Sequence, residues 1–115
     1  MIYDTGKKGL ETVFLDYQVE AWRHVWRKPS HQVFSLDAWE AVNRALAPRT
    51  VSRASVINFL KKMAAEGLLW KDEVLGKGGI KDRYKSVAGV SDSEENLKYT
   101  LKRRVMDSLL RELVG

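Results

Sequence analysis

The sequence predicts a mostly α-helical domain that carries one small β-hairpin. Three patterns support this prediction: apolar residues recur at helical spacing, capping and stop residues separate those stretches, and a glycine-rich turn joins two β-favouring segments. The chain has 115 residues, of which 44% are hydrophobic. That length and composition predict a single domain with one modest core.

The first two predicted helices lie in the N-terminal half of the chain. Between residues 10 and 28 the apolar side chains fall on one broad stripe at about 100° per residue, which is typical of an amphipathic helix. A β-favouring segment at residues 33–36 comes next and is expected to form a stub of strand. Asp37 is the predicted N-cap of a second helix over residues 38–47, which Pro48 ends.

The third predicted helix spans residues 53–66. Ser52 is its predicted N-cap, and Gly67 is expected to adopt the left-handed conformation just past its end. The apolar side chains of this helix share one face, and its small, amide and basic side chains share the opposite face. The sequence therefore predicts a helix with one face in the core and a basic face in solvent.

The C-terminal half adds a hairpin and a last helix. Residues 68–75 and 82–87 are predicted strands, and the glycine-rich turn between them predicts a β-hairpin. A helix over residues 94–113 follows, with Ser91, Asp92 or Ser93 as its cap.

The resulting order is helix, strand stub, helix, helix, hairpin and helix. The first five elements follow the order of a winged helix-turn-helix, in which a two-stranded wing comes after the second helix of the motif. We expect a flexible N-terminal arm over residues 1–9, a winged-helix DNA-binding domain over residues 10–88, and a C-terminal dimerisation helix over residues 91–115.

The net charge of +5 is concentrated in two short segments. Residues 49–62 contain arginines and lysines without any acid, and residues 76–85 contain mostly basic charges. The remainder of the chain is slightly acidic. Two basic segments on such a chain predict a surface that faces a polyanion, here double-stranded DNA.

The predicted DNA contacts lie in these segments. Asn58 is the candidate for base recognition because a side-chain amide can pair in bidentate fashion with adenine, whereas Arg53 can equally hold a phosphate. The basic side chains of the wing are expected to contact backbone phosphates, since the glycine turn beside them is poorly suited to base recognition. The alternative for the helix is an ordinary solvated face. The predicted set is Arg49, Thr50, Ser52, Arg53, Ala54, Ser55, Asn58, Lys61, Lys62, Lys77, Lys81 and Arg83.

A narrower resemblance rests on three stretches. Residues 52–69 resemble a winged-helix recognition helix and its turn into the wing, and residues 20–30 (EAWRHVWRKPS) are similar to the first-helix signature of the penicillinase and methicillin-resistance repressor family. Residues 83–85 (RYK) resemble that family's basic-aromatic return strand. The resemblance implies a homodimeric repressor that dimerises through its C-terminal region and binds a palindromic operator. Pro29-Ser30 replaces the family's Gly-Pro turn, and the cysteine tail of the copper-responsive relatives is absent.

The last predicted helix carries more apolar side chains than one stripe can hold. Met106 and Leu110 lie well round the helix from Leu97 and Leu101. One side is expected to pack on its own domain and the other on a second copy of the chain, the alternative being that the helix packs only against helix one. The predicted dimerisation residues are Leu97, Leu101, Val105, Met106, Leu109, Leu110 and Leu113.

Several functional classes find no support in the residues. The chain has no cysteine, and His24 and His31 are too few for a metal site, so no cofactor is expected. No Ser-His-Asp set, phosphate-binding glycine loop or HExxH motif is present, and adjacent strand residues such as Asp72 and Glu73 point to opposite faces. An enzyme is therefore not predicted. The tryptophans at helical spacing are expected to be core residues rather than a ligand pocket.

The remaining expectations concern location and partners. No apolar run is long enough to cross a bilayer and no signal peptide precedes the domain, so a cytoplasmic protein is expected. A dimeric repressor acting on duplex DNA is the leading hypothesis, and a winged-helix protein–protein interaction module of a larger complex is the alternative. The sequence leaves open whether a small-molecule effector exists.

Overall fold

The computed structural model describes residues 14–27, 33–76 and 78–114. The predicted arm over residues 1–9, Lys77 and the Pro29-Ser30 turn lie outside the described residues. The described elements, in chain order, are α1 (Asp16–Arg27), β1 (Val33–Phe34), α2 (Ser35–Leu46), α3 (Arg53–Ala65), β2 (Leu69–Gly76), β3 (Gly79–Ser86) and α4 (Glu94–Val114). This order confirms the predicted fold class, a mostly α domain with a hairpin and an added C-terminal helix.

The three strands form one antiparallel sheet in the order β1-β3-β2. The stub β1 pairs with the return strand β3, so that Val33 lies opposite Tyr84, and both are buried. Burial, together with the nearby Asp82 carboxylate, raises the pKa of Tyr84 to about 12. The hairpin closes at Gly76 and Gly79, which lie opposite each other. The sheet therefore extends well beyond the buried pair and projects as a wing.

Helix α3 begins and ends at the predicted signals. The hydroxyl of Ser52 accepts a hydrogen bond from the Ser55 backbone N–H at 3.1 Å, which satisfies one of the donors left free at a helix start. At the other end Gly67 has a φ of 75°, a left-handed conformation that glycine adopts without steric cost. The chain can therefore turn directly from α3 into the first strand of the wing, β2.

The predicted start of α2 is wrong. The helix begins at Ser35, with Phe34 at the N-cap position and no side-chain cap, so Asp37 lies inside the first turn. The cause is not local: β1 pairs with β3 up to Phe34, so the helix begins three residues earlier than the capping signal suggests. A carboxylate in the first turn still favours the helix through its dipole.

The core lies between the helices and the inner face of the sheet. Trp22 is fully buried, and its indole donates to the Ser91 carbonyl at 3.1 Å. Trp26 stacks on it with ring centroids 5.6 Å apart and donates to the Asp92 carbonyl. Trp39 packs against the same core. Trp22 therefore lies in the core as predicted, and Trp26 and Trp39 pack against it from partly buried positions.

We expect Gly67→Ala to lower the free energy of unfolding by about 1 kcal/mol, because an L side chain resists the left-handed backbone. An added Cβ would meet only the Arg104 guanidinium at 4.0 Å, so crowding contributes little. Urea denaturation measures the difference. The matched control is Gly76→Ala, whose Cβ would meet only the Lys81 side chain at 3.9 Å and whose backbone is not left-handed. Equal losses in the two variants would contradict the assignment of strain to Gly67.

Candidate nucleic-acid interface

Helix α3 presents two faces of opposite character. Its buried side chains are apolar and contact α1, α2 and β2: Val56, Phe59, Leu60 and Met63. Its exposed side chains are small, amide or basic: Arg53, Ala54, Asn58, Lys61 and Lys62. The predicted division between a core face and a basic face is confirmed. The segment contains no acidic residue, whereas each of α1, α2 and α4 mixes acids with bases.

The basic side chains of α3 have no acidic partner nearby. Within the described ranges, Arg53, Lys61 and Lys62 make no ion pair and Asn58 makes no side-chain hydrogen bond. These groups are accessible to an external partner without the loss of a described contact. The exposed face therefore has the free donors that a phosphate or a base edge requires.

Two side chains of α2 hydrogen-bond to the backbone of the segment that leads into α3. The Trp39 indole donates to the Val51 carbonyl at 2.8 Å, and the Asn43 side-chain oxygen accepts from the Val51 N–H at 2.8 Å. Both hydrogen bonds fix the backbone next to Ser52, where α3 starts. Sequence reasoning did not identify Asn43, because its partner lies eight residues further along the chain, beyond the reach of local capping and turn patterns.

Two predicted DNA contacts are exposed in the segment that leads into α3, and one of them already forms an ion pair within the protein. Thr50 is exposed and lies in the turn before α3. Arg49 is also exposed, and its guanidinium forms an ion pair with the Asp16 carboxylate at 2.5 Å. Because Asp16 begins α1, this pair connects the first helix to the α2–α3 turn. Arg49 must exchange this carboxylate for a phosphate if it is to contact DNA.

The outer face of the wing is the face of the hairpin opposite the buried Tyr84. Basic side chains on this face, like Arg49, already have partners within the protein. Arg83 donates to both carboxylate oxygens of Asp72, directly opposite on β2, at 2.9 and 2.5 Å. That hydrogen bond holds the pKa of Asp72 below its ordinary value. The Lys85 ammonium lies 4.4 Å from the centre of the Trp70 ring. Lys81 is exposed on the same face. Of the predicted DNA contacts in the described part of the wing, Arg83 forms an ion pair and Lys81 does not.

The inner face of the wing differs from the outer one. Glu73 lies opposite Asp82, and beyond them Leu75 lies opposite Ile80 near the tip. Both apolar side chains are strongly exposed. Lys71 is exposed on the same face, which therefore carries both charges beside the apolar tip. The sequence analysis did not identify this mixed surface, because it counted charges along the chain rather than by strand face. The two faces of the wing are therefore suited to different surroundings.

Helix α4 divides at its middle. Leu97 and Leu101 are buried in the core of their own domain, so they offer no surface to a second chain. Val105 is half-buried. The other predicted dimerisation residues are exposed, as is the valine that ends the helix: Met106, Leu109, Leu110, Leu113 and Val114. The exposed aliphatic side chains of this helix therefore lie in its distal half, while Tyr99 is the exposed aromatic residue of its first half.

Metal and membrane chemistry find no site in the described ranges. Across residues 14–27, 33–76 and 78–114, no cluster of three or more His, Cys, Asp or Glu side chains is arranged to hold a metal ion. His31 lies outside these ranges. None of the helices in the same ranges combines the length and the apolar character needed to cross a membrane.

The fold is shared with a protein described as a possible transcriptional regulator. No model of a known protein family matches the chain, and no curated protein sequence matches it. Among solved structures, the chain is similar to the possible transcriptional regulator from Methanosarcina mazei Go1, with a TM-score of 0.54 at 17% sequence identity. The match covers 87% of this chain and 77% of the other. At this identity the similarity shows a shared fold alone, and it does not extend to the penicillinase repressor family.

We expect Asp16→Asn to tighten binding of duplex DNA, because it removes the carboxylate that competes with phosphate for Arg49. Exposed ion pairs contribute about 1 kcal/mol or less, so the gain should be at most about fivefold. Fluorescence anisotropy with a labelled duplex measures it. The control is Glu95→Gln, which removes the charge of an exposed carboxylate paired with Lys98 on α4. A gain of the same size in the control would assign the effect to net charge alone.

Proposed function

We propose that the protein is a sequence-specific, double-stranded DNA-binding transcription regulator that acts as a dimeric repressor. The observation that carries the proposal is the exposed face of α3, which is basic, free of acids and without described ion pairs. A surface that merely keeps a protein in solution usually mixes both charges, as the other three helices do. An unpaired positive helix face fits a polyanion.

In this proposal α3 enters the major groove, which is about 12 Å wide and admits a helix. The short side chains near its start, Ala54 and Ser55, let the backbone approach the base edges. Asn58 recognises a base, and Arg53, Lys61 and Lys62 neutralise phosphates on either side. The N-terminal amides and the positive end of the helix dipole add attraction for a phosphate beside Ser52.

The wing contributes affinity rather than base recognition. Within the predicted set, Lys81 is the described wing cation without an ion pair and is free to bind phosphate, and Lys77 is proposed with it from the sequence. Arg83 braces the hairpin through Asp72, and its own contact with DNA stays a prediction. Each phosphate contact should make the negative slope of log K against log salt concentration steeper by about 0.9.

The dimer is proposed from the distal half of α4. Its exposed apolar side chains would form a patch of a kind that monomeric proteins seldom expose. A two-fold pair of α4 helices would cover these side chains. It would also set two recognition helices about 34 Å apart, one turn of DNA, as a palindromic operator requires.

Repression is proposed from the sequence resemblance to the penicillinase and methicillin-resistance repressors. The similar solved structure, described as a possible transcriptional regulator, is consistent with the broader class. A repressor of this kind needs no catalytic group and no cofactor. It would act in the cytoplasm, where it reaches the genomic DNA. The lack of any catalytic constellation in the sequence supports a binding protein over an enzyme.

Selection from random duplex DNA tests the function and identifies the site together. Lys61→Glu with Lys62→Glu should then abolish binding to the selected duplex while leaving far-UV circular dichroism unchanged, because both side chains are exposed on the face opposite the core. The matched control is Lys102→Glu with Arg103→Glu, an equal charge change at exposed positions of α4. Failure to select any duplex would refute the proposal, and so would equal loss of binding in both pairs.

The dimer has its own test. Leu109→Gln, Leu110→Gln and Leu113→Gln together should convert the protein from dimer to monomer in analytical ultracentrifugation at micromolar concentration. The fold should persist, because these side chains are exposed while Leu97 and Leu101 remain in the core. Binding to a palindromic duplex should weaken sharply, since the second half-site is no longer coupled to the first. A wild-type chain that sediments as a monomer would contradict the proposed dimer.

A further inference from the structure

The N-terminal half of α4 is fastened to the domain at several points. Leu97 and Leu101 lie in the core, and the single proton of the Thr100 hydroxyl is shared between the Asn96 carbonyl of α4 at 2.9 Å and the Val90 carbonyl at 3.2 Å. The Glu94 carboxylate accepts from the Arg23 guanidinium on α1 at 3.0 Å. These contacts fix where α4 starts.

Arg104 makes the next contact along the helix, and it reaches α3. Its guanidinium Nη2 donates to the backbone carbonyl of Glu66 at 2.6 Å in a half-buried position. Glu66 is the C-cap residue of α3. Beyond Arg104, the described residues of α4 make no hydrogen bond or ion pair to another element, and the side chains from Met106 onward are exposed. Arg104 is thus the last polar fastening of α4 before its distal half.

The contact suits the end of a helix. The carbonyls of Lys62, Met63 and Ala64 accept backbone N–H groups of the turn at Glu66, Leu68 and Gly67 respectively. The Glu66 carbonyl instead accepts a charged donor from a distant element. A cation at a helix C-terminus is also favoured by the helix dipole. Charge-assisted hydrogen bonds of this type are among the stronger ones in proteins.

We infer that Arg104 is a positioning residue that couples the orientation of α4 to that of α3. The inference rests on the proposed function, in which distal α4 forms the dimer and α3 enters the major groove. Arg104 lies between the last buried leucine, Leu101, and the exposed apolar side chains that begin at Met106. Through its hydrogen bond the geometry of the dimer reaches the recognition helix, and it sets the half-site spacing that the two recognition helices accept.

The DNA test measures spacing preference rather than affinity alone. Wild type and Arg104→Ala are titrated against the selected half-site alone and against paired half-sites whose spacers differ by single base pairs. Wild type should prefer one spacer. Arg104→Ala should reduce that preference by about tenfold, the effect of losing one charge-assisted hydrogen bond, while single half-site affinity stays unchanged. Arg104→Lys, which keeps a charged donor, should retain most of the preference.

The matched control is Arg103→Ala, which removes the same charge from the neighbouring position. The Arg103 guanidinium donates to the Tyr99 hydroxyl within α4 itself, at 3.3 Å, and does not reach α3. Its spacer preference should equal that of wild type. Uniform weakening of Arg104→Ala on every duplex, including the single half-site, would reduce Arg104 to a stabilising contact and overturn the inference.

A second measurement does not depend on DNA. Because the chain has no cysteine, Lys61→Cys on α3 and Arg111→Cys on α4 can carry the only two spin labels. Labelled chains are diluted with unlabelled chains, and the distance distribution is measured by double electron–electron resonance. Arg104→Ala should broaden the distribution, and Arg103→Ala should not.

The two measurements separate the inference from the function it rests on. If wild type binds no duplex, the proposed function fails, and broadening in Arg104→Ala still supports the coupling of α4 to α3. An identical distribution in wild type and Arg104→Ala would overturn the coupling, whatever the DNA result.

Discussion

Burial of one face of α3 is the constraint on which the rest of the candidate site depends. Val56, Leu60 and Met63 are almost completely removed from water, and each buried side chain of this kind contributes about 1.5–3 kcal/mol. Because α1, α2 and β2 all contact this helix, its rotation about its own axis is set by the core. Helical geometry then leaves Asn58 and Lys61 on the opposite side. The basic surface is thus a consequence of hydrophobic packing.

Four described arginines differ from the cations of α3 in their partners. Arg23, Arg49, Arg83 and Arg104 each join two elements by an ion pair or a hydrogen bond to a carbonyl. The cations of α3 make no such link within the described ranges. The arginines hold the helices and strands around α3, whose own charges remain available. This division explains why net charge alone is a coarse guide to the site.

The core also limits what α4 can do. Its first half completes the domain, and its second half extends from it with apolar side chains in solvent. The same helix therefore belongs to the domain at one end and is proposed to belong to an assembly at the other. A rigid helix transmits orientation along its length, so a contact at its midpoint, such as that of Arg104, is well placed to relate the two ends.

Local signals carried much of the fold. The cap at Ser52, the left-handed Gly67 and the two faces of α3 were predictable because each depends on residues within one or two helical turns. The start of α2 was mispredicted because strand pairing between Val33 and Tyr84, far apart in the chain, overrode the capping signal at Asp37.

The sequence by itself therefore determined the element order, the buried and basic faces of α3 and the apolar excess of α4, all of which follow from side-chain periodicity. Only the tertiary structure decided which cations are already engaged. Arg49 meets Asp16, and Arg104 meets the end of α3, through contacts between segments that no local pattern relates. Periodicity fixes which way a side chain points from its own helix, whereas the partner it meets depends on how the helices pack.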